Sequence, residues 1–339
     1  NKTLHGCISK ILIIILDFNK KNIWIVTDGS QGMISQVNGL AQQLSTRIFN
    51  IKTDLIFPWS MLQPGFLPVY RWIFKNKIDF NNKPHIVISC GRKSVYFSLY
   101  LKKLFMKKII TIHIQNPKIN FNKFDFIISP NHDNIKGANV IKSIGAIHQF
   151  TKKMIESKKN SYLSVPKNNL ISFIIGGNNR HYKFTKESIL DLINKIKHLK
   201  KRYSKFNFLV ISSRRTGLDI IRFMKEKLDK IAHIWNGVDE NPYIFALNNS
   251  IFFVVTSDST SMISECAFTG KPIFVFHLPF KRLSKRIENF HHEFENLKIT
   301  KKFLDHVDLN PWQYETLDEA KRISGIIKER IIKGFNESR

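Results

Sequence analysis

The sequence has little cysteine, little acid and no long apolar run. Its 339 residues include three cysteines, Cys7, Cys90 and Cys266, which are widely separated and form no CxxC pair. This spacing argues against a disulfide framework and a cysteine-based zinc site, and it fits a reducing compartment. The histidines also lack metal-ligand spacing with cysteine or acidic partners, so we predict no metal site.

The apolar runs argue against a membrane-spanning helix, because none is long enough to cross a bilayer. Residues 11–16 form a short apolar run after Lys10, and no small-residue cleavage site follows it. We therefore interpret this run as a strand or a packed lead-in and not as a signal peptide. The expected location is the cytoplasm.

Acidic residues number 26 against 54 basic ones, which gives a formal charge of +28. The many lysines accompany many asparagines and isoleucines, a composition typical of an AT-rich genome, so the charge need carry no function. The functional alternative is attraction to an anionic surface. Since the sequence has no helix-turn-helix, RNA-recognition or zinc-finger pattern, a membrane surface is favoured over nucleic acid.

Apolar strands and helical segments alternate along the chain, which predicts parallel sheets covered on both faces. A polar, lysine-rich stretch at residues 151–169 interrupts the alternation and is interpreted as a linker. We therefore predict an α/β fold with Rossmann-like domains at 1–155 and 156–339, the second with closing C-terminal helices. Two such domains would face each other across a cleft lined by the carboxyl ends of both sheets.

The most informative stretch is residues 251–276. An apolar run beginning at Ile251 predicts a buried strand, and residues 257–261 (SDSTS) form a polar turn. A short helical pattern follows and ends at Gly270 and Pro272, before a second strand at residues 273–276. Ligands of such strand–helix–strand units lie beyond the carboxyl end of the first strand, against the N-terminus of the helix.

Within this stretch, the turn offers hydroxyls and backbone N–H groups to an anion. Glu265, about one turn further on, could accept both hydrogen bonds of a vicinal diol such as a ribose. In the alternative interpretation, residues 259–261 only cap the helix and Glu265 complements its dipole. A reciprocal capping box is excluded because Met262 stands three positions before Glu265.

Other predicted strand ends carry residues suited to the same cleft. Glycines at a strand-to-helix turn let a backbone approach a ligand, although without a full GxGxxG a plain tight turn is the alternative. Adjacent arginines suit a diphosphate because the guanidinium fork binds phosphate oxygens in pairs, and solvated surface groups are the alternative. The first domain contributes Asp28, Gly29, Ser30, Gly32, Arg92, His132 and Asp133, and the second contributes Gly176, Gly177, Arg214, Arg215, Ser259, Thr260, Ser261 and Glu265.

Residues 57–74 interleave aromatic and aliphatic side chains with Arg71. Such a segment could enter a membrane interface or hold a lipid tail. A helix and loop packed on the core is the alternative interpretation.

The ordered motifs DGSQG, GRKS, QNP, PNHD, IGGNN, SSRRT, ENPY and TSDSTSMISECAFTGKP resemble the "elongated mitochondria" family of mitochondrial fission proteins, which has many bacterial members. The resemblance covers residues 24–312, nearly the whole chain. It implies the GT-B architecture of two Rossmann-like domains.

The last motif also resembles the nucleotide-sugar site of GT-B enzymes such as the lipid-linked N-acetylglucosaminyltransferase of peptidoglycan synthesis. In those enzymes a glutamate at the position of Glu265 holds the nucleotide ribose, and neighbouring hydroxyls meet the diphosphate. The resemblance gives these diphosphate contacts to Ser259, Thr260 and Ser261, and it places Gly176 and Gly177 on the opposite wall. The long glycine-rich first loop of the peptidoglycan enzyme is reduced here to residues 28–32.

We therefore hypothesise a metal-independent glycosyltransferase that moves a sugar from a nucleoside-diphosphate sugar to a lipid-linked or lipopolysaccharide-precursor acceptor at the inner membrane face. No cofactor is predicted besides this donor substrate. The serine turn, the helix N-terminus and the arginine pair would stabilise the departing diphosphate. Asp28, or His132 with Asp133, would deprotonate the acceptor hydroxyl. The competing hypotheses are a non-enzymatic, membrane-associated fission-type scaffold and a nucleotide-sugar epimerase.

Overall fold

The computed structural model describes residues 17–162 and 164–337, with side chains at all of these except 107 and 335–337. The described chain forms two units. The first runs up to Gln149 and resumes at Asp318, and the second comprises Phe150–Leu317. Cys7 and the apolar run at residues 11–16 lie outside the described residues.

The first unit contains a parallel six-stranded sheet with the order β2-β1-β3-β4-β5-β6. Its strands are β1 (Ile23–Thr27), β2 (Ile48–Lys52), β3 (Ile86–Cys90), β4 (Ile110–Ile114), β5 (Phe126–Pro130) and β6 (Val140–Ser143). Its helices are α1 (Gln31–Leu44), α2 (Arg92–Phe105) and the C-terminal helix (Glu319–Glu337).

Strand β1 illustrates why these apolar runs become central strands. Ile23 and Ile25 pack in a cluster with Leu40 of α1, whereas Trp24 and Val26 pack in another cluster that includes residues of α2. Successive side chains of a strand point to opposite faces. Because both faces are covered, the run needs no polar residue, and all of β1 is buried.

The C-terminal helix belongs to the first unit. Its Ile323 and Ile327 are fully buried in the same cluster as Ile23, and its Glu319 Oε2 accepts a hydrogen bond from Ile144 N at 2.9 Å. This differs from the predicted domain 156–339, which included the closing helices. An amphipathic pattern specifies that a helix has an apolar face, but not which sheet that face covers.

The second unit contains another parallel six-stranded sheet, with the order β12-β11-β10-β7-β8-β9. Its strands are β7 (Leu170–Ile175), β8 (Asn207–Ser212), β9 (His233–Ile234), β10 (Ser250–Thr256), β11 (Ile273–Phe276) and β12 (Thr300–Lys302). Its helices are α3 (Lys152–Ser157), α4 (Lys186–Arg202), α5 (Leu218–Leu228), α6 (Tyr243–Asn249), α7 (Thr260–Ala267) and α8 (Lys285–Asn296). The predicted α/β class with two Rossmann-like domains is confirmed.

The order of the second sheet reverses between β7 and β10, which pair from Leu170 with Ser250 to Ile174 with Val255. In open α/β sheets, ligands bind beyond the carboxyl ends of the strands at such a reversal. Within residues 17–162 and 164–337, no helix combines the length and apolarity needed to cross a membrane.

Candidate functional site

The carboxyl ends of β8, β7 and β10 are neighbours in the second sheet, and a polar turn follows each of them. Gly176 and Gly177 follow β7, residues 213–216 follow β8, and residues 257–259 follow β10. Neighbouring strands lie about 4.8 Å apart. Residues that the sequence distributes over more than eighty positions therefore meet at one edge of the sheet, where its order reverses.

A buried carboxylate, Asp258, joins the three turns. Its Oδ2 accepts a hydrogen bond from Gly177 N at 3.1 Å and forms an ion pair with Arg215 Nη1 at 2.8 Å, and its side chain is fully buried. Its Oδ1 accepts from Thr256 Oγ1 at 2.6 Å. A buried charge requires a partner and satisfied hydrogen bonds, and Asp258 has both. The positions of the turns are therefore fixed by contacts within the protein.

The glycine pair allows the turns to approach this closely. A Cβ on Gly176 would lie 2.1 Å from Asp258 Oδ2, and one on Gly177 would lie 2.1 Å from Arg215 O. The sequence suggested that these glycines leave room for a ligand. In the structure they leave room for the neighbouring turns.

Sequence reasoning gave Asp258 no role, although it lay inside the predicted polar turn. A signal was available, since Asp258 stands two residues after a buried strand in a chain poor in acid. What the sequence could not supply was its partner Arg215, which lies on a different turn.

The two adjacent arginines have different surroundings. Arg215 pairs with Asp258 and also donates to Gly177 O at 3.2 Å, with its side chain 38% exposed. Arg214 is exposed and makes no hydrogen bond or ion pair with another described residue. Arg215 is therefore held at the strand ends, while Arg214 extends from the turn into solvent.

Helix α7 begins at this edge of the sheet. Ser259 is its N-cap, and Ser259 Oγ accepts a hydrogen bond from Met262 N at 3.4 Å. The capping interpretation therefore holds for Ser259. Thr260 and Ser261 lie in the first turn and are partly exposed. The unsatisfied N–H groups and the positive end of the helix dipole make this end of α7 favourable for an anion.

Glu265 lies beyond the first turn of α7, which contains no acidic residue. Because the dipole acts mainly on the terminal turn, dipole compensation does not account for Glu265. Its Oε2 accepts a hydrogen bond from Tyr243 Oη at 2.5 Å. Burial raises the pKa of Glu265 to about 7, and the bond from Tyr243 offsets only part of this effect.

Tyr243, which sequence reasoning did not include, is the first residue of α6. Its backbone N–H donates to Asn241 Oδ1 at 2.9 Å. At the other end of α6, Lys271 Nζ donates to Leu247 O at 2.9 Å and to Asn248 O at 2.5 Å. Both ends of the helix that carries Tyr243 are thus fixed by side chains.

In the first unit, the predicted turn after β1 is present but open. Asp28 is partly exposed, and its Oδ1 accepts a hydrogen bond from Ser30 N at 3.0 Å. Gly29 has φ of +94°, a conformation that favours glycine, and a Cβ there would lie 3.1 Å from Lys52 Cε. A Cβ on Gly32 would meet nothing within 4 Å. Only Gly29 is therefore required by the backbone.

Arg92 supports a loop rather than standing free for a ligand. Its Nη1 donates to Leu62 O and its Nη2 donates to Ser60 O, both within the segment 57–74. Tyr96 Oη donates to the same Leu62 O at 3.2 Å. Helix α2 thus fixes this segment through two side chains.

His132 and Asp133 follow β5 and are close to each other, with 3.7 Å between His132 Nε2 and Asp133 Oδ1. Their side chains are only 5% and 9% exposed. Strands β3 and β4 lie between β1 and β5, so Asp28 is separated from them by three strand spacings, or about 14 Å. The residues predicted as candidate bases therefore form two separate groups, and Asp28 is the more accessible.

No group of three or more histidine, cysteine, aspartate or glutamate side chains suited to a metal ion occurs among the described residues. The free cysteines Cys90 and Cys266 are both buried.

Comparison with known proteins identifies relatives along most of the chain. A family model described as mitochondrial fission ELM1 matches residues 31–331. The uncharacterized protein RP120 of Rickettsia prowazekii is 29% identical over 352 residues, covering 91% of this chain and 98% of that protein. The mitochondrial fission protein ELM1 of Arabidopsis thaliana is 25% identical over 287 residues, covering 75% of this chain and 65% of that protein.

Among solved structures, the UDP-GlcNAc 2-epimerase of Neisseria meningitidis, bound to UDP-GlcNAc, is similar with a TM-score of 0.53 and 15% identity. The match covers 92% of this chain and 100% of the epimerase chain. At this identity the likeness extends to the fold alone, which is of the GT-B class with two Rossmann-like domains.

Proposed function

This chain belongs to the mitochondrial fission ELM1 family, and we propose that it is a metal-independent glycosyltransferase that uses a nucleoside-diphosphate sugar as donor. The observation that carries the proposal is the network around Asp258, which holds the turns after β8, β7 and β10 together beside the N-terminus of α7. Rigid polar turns at a strand-order reversal are suited to a nucleotide.

The groups at this edge match the parts of such a donor. The diphosphate would accept hydrogen bonds from the first turn of α7, including Thr260 and Ser261, and from Arg214 and Arg215. Glu265 Oε1 and Oε2 would accept hydrogen bonds from the ribose diol, in place of or beside the bond from Tyr243. These contacts would stabilise negative charge on the departing nucleoside diphosphate without a cation.

Transfer also requires a base for the acceptor hydroxyl. Asp28 is the best-placed candidate because its carboxylate is partly exposed at a strand end, whereas the side chains of His132 and Asp133 are almost fully buried. We further propose a lipid-linked or lipopolysaccharide-precursor acceptor, reached by the protein at the inner face of the membrane. The high positive charge supports attraction to such a surface.

Two observations favour other functions on the same fold. The likeness to an epimerase bound to UDP-GlcNAc favours epimerisation of a nucleotide sugar. The family description favours a fission-type scaffold without catalysis. Nucleotide binding distinguishes the scaffold hypothesis from both enzyme hypotheses, and the reaction product distinguishes the glycosyltransferase from the epimerase.

The first experiment is a thermal-shift screen with UDP, GDP, CDP and their sugars. Ligand at about one hundred times its Kd should stabilise the protein by about 2.7 kcal/mol. Glu265→Gln should lose most of the stabilisation, because its amide can accept only one of the two ribose hydrogen bonds. Glu226→Gln is the matched control, since Glu226 is an exposed glutamate of the same unit paired only with Lys227.

A donor identified in this way would then be incubated with the protein and a membrane extract. Sugar transferred to lipid, with release of nucleoside diphosphate, supports the glycosyltransferase. Inversion of one stereocentre of the sugar in the soluble nucleotide sugar, without net release of nucleoside diphosphate, supports the epimerase. If none of the nucleotides or nucleotide sugars shifts the melting temperature, the proposal is overturned and the scaffold hypothesis is favoured.

A further inference from the structure

The segment of residues 57–72, here called the aromatic loop, exposes an unusual concentration of apolar side chains. Phe57 is 75% exposed, Phe66 76%, Tyr70 44% and Trp72 59%, and Met61 is 74% exposed. Among the residues whose side chains the structure describes, every aromatic residue classed as exposed lies in this loop. Single exposed apolar residues are common on proteins, but a cluster of large ones indicates a binding surface.

The loop is closed at its base. Ile56 N donates to Ile73 O at 3.0 Å, and Leu55 pairs with Phe74 in an antiparallel bridge. Ile73 is fully buried, and Phe74 is 5% exposed. The ends of the loop are thus anchored in the core, while the residues between them are presented at the surface.

Contacts inside the loop hold the exposed rings in place. Buried Trp59 donates from Nε1 to Pro68 O at 3.0 Å and packs edge-on against Trp72, with 5.0 Å between ring centroids. Trp72 also stacks on Tyr70 at 5.8 Å. With the two bonds from Arg92 to the loop backbone, this packing keeps apolar side chains exposed instead of allowing them to collapse inwards.

The charges around the loop are positive. Residues 55–78 include no aspartate or glutamate, and they include exposed Arg71 and Lys77. Lys75, which is also exposed, pairs with Asp54 at 3.4 Å. Lys103 of α2 lies over the Tyr70 ring, with 5.8 Å between Nζ and the centroid. Tryptophan and tyrosine prefer the interface between lipid headgroups and acyl chains, and basic residues are attracted to anionic headgroups.

From this combination we propose that the aromatic loop docks the protein on an anionic lipid bilayer, with Phe57, Phe66 and Trp72 entering the interface. The occupant is a bilayer rather than a protein groove because Arg71, Lys77 and Lys103, which lie in or beside the loop, have no acidic partner among the described residues, and the whole chain carries a charge of +28. This inference does not depend on nucleotide binding.

The test is co-sedimentation of the full chain with phosphatidylcholine vesicles that contain or lack phosphatidylglycerol. We expect binding to the anionic vesicles and a reduction of about tenfold or more for the triple variant Phe57→Ser, Phe66→Ser, Trp72→Ser, because each loses apolar area at the interface. The matched control is Leu218→Ser, Val238→Ser, Leu283→Ser, which alters exposed apolar residues of the second unit and should leave binding unchanged.

A second variant, Arg71→Glu with Lys77→Glu, tests the electrostatic part and should weaken binding mainly at low salt. Equal binding of wild type and the triple variant would overturn the proposal, as would equal binding to vesicles with and without phosphatidylglycerol. A third outcome would also overturn it: the wild type does not bind vesicles, and analytical ultracentrifugation shows a dimer for the wild type but a monomer for the triple variant. The loop would then form a contact between copies of the chain.

Discussion

In the second unit, Asp258 joins turns after three adjacent strands, whereas the predicted residues of the first unit follow β1 and β3, which are adjacent, and β5, which β4 separates from β3. Both sheets are parallel, six-stranded and covered by helices. The difference lies in the turns. A buried carboxylate with two hydrogen bonds and an ion pair fixes one set. In the other set, Asp28 bonds within its own turn and Arg92 bonds to the segment 57–74.

The two proposed sites match this difference between the units. A site that binds a defined group such as a nucleotide benefits from rigid, preorganised turns. An edge with open turns and an exposed aromatic loop is suited to a larger and more variable partner. The proposed donor site and the proposed lipid surface accordingly lie on different units.

The largest expected effect is that of Asp258→Ala. The substitution removes the counter-charge of Arg215 and leaves the buried Gly177 N–H and Thr256 hydroxyl without their acceptor, and each unsatisfied donor costs about 1–3 kcal/mol. Urea unfolding of the variant measures the loss. Glu240→Gln, which breaks the exposed pair with Lys158, is the control and should cost less than about 1 kcal/mol. A loss for Asp258→Ala no greater than for the control would contradict the assigned role of the network.

The next prediction compares the substitution of one glycine in each unit. Gly177→Ala should destabilise the protein by about 1–3 kcal/mol, because its Cβ would meet backbone atoms that cannot move easily. Gly32→Ala places a Cβ in open space within α1 and should leave stability unchanged or raise it by up to about 1 kcal/mol. Thermal unfolding measures the stability of both variants. If the two substitutions change stability equally, the turns of the second unit are not closely packed.

A third effect concerns pH and Glu265. Burial raises the pKa of this carboxyl from 4.5 to about 7, so the folded state binds the proton more tightly than the unfolded chain does. The free energy of unfolding should therefore fall as pH rises from 4.5 to about 7, with a contribution from Glu265 on the order of 2 kcal/mol. Glu265→Gln should remove this contribution, as measured by urea unfolding across that pH range.

The control for this pH dependence is Glu226→Gln. Glu226 is exposed, and its bond and attraction to Lys227 lower its pKa instead of raising it. This variant should retain the fall in stability between the two pH values. If Glu265→Gln also retains it, the pKa of Glu265 is not raised in the folded protein.

The sequence predicted the central strands well, because their apolar runs need only burial on both faces. The strand predicted to begin at Ile251 corresponds to β10, and predicted residues 273–276 coincide with β11. It did not predict β2 or β12, which lie at sheet edges and carry several polar residues. Edge strands are covered less completely, so their apolar pattern is weaker.

For the candidate site, the sequence located the turns but not the bonds between them. Gly176, Gly177 and Arg215 were found because glycines and arginines at strand ends are recognisable locally. The contacts Asp258–Arg215 and Tyr243–Glu265 join different elements, so no local pattern specifies them. The proposed nucleotide contacts also combine residues of different elements, so they stay predictions.

The smallest effect on stability, and the sharpest test of the donor site, is that of Arg214→Ala. Because Arg214 is exposed and without a partner among the described residues, its loss should change the free energy of unfolding by less than about 0.5 kcal/mol. It should nevertheless weaken the binding of a nucleoside diphosphate by about tenfold or more, since a hydrogen bond to a charged group contributes about 1.5–3 kcal/mol. Calorimetric titration measures this affinity.

Two arginines serve as comparisons for Arg214. Arg215→Ala should lower both stability and affinity, because it also leaves Asp258 buried without its cation. Arg92→Ala should lower stability but not affinity, because its guanidinium bonds to the aromatic loop of the other unit. If Arg214→Ala binds the nucleotide as tightly as wild type, the diphosphate does not contact Arg214. The donor site would then be restricted to α7 and Arg215.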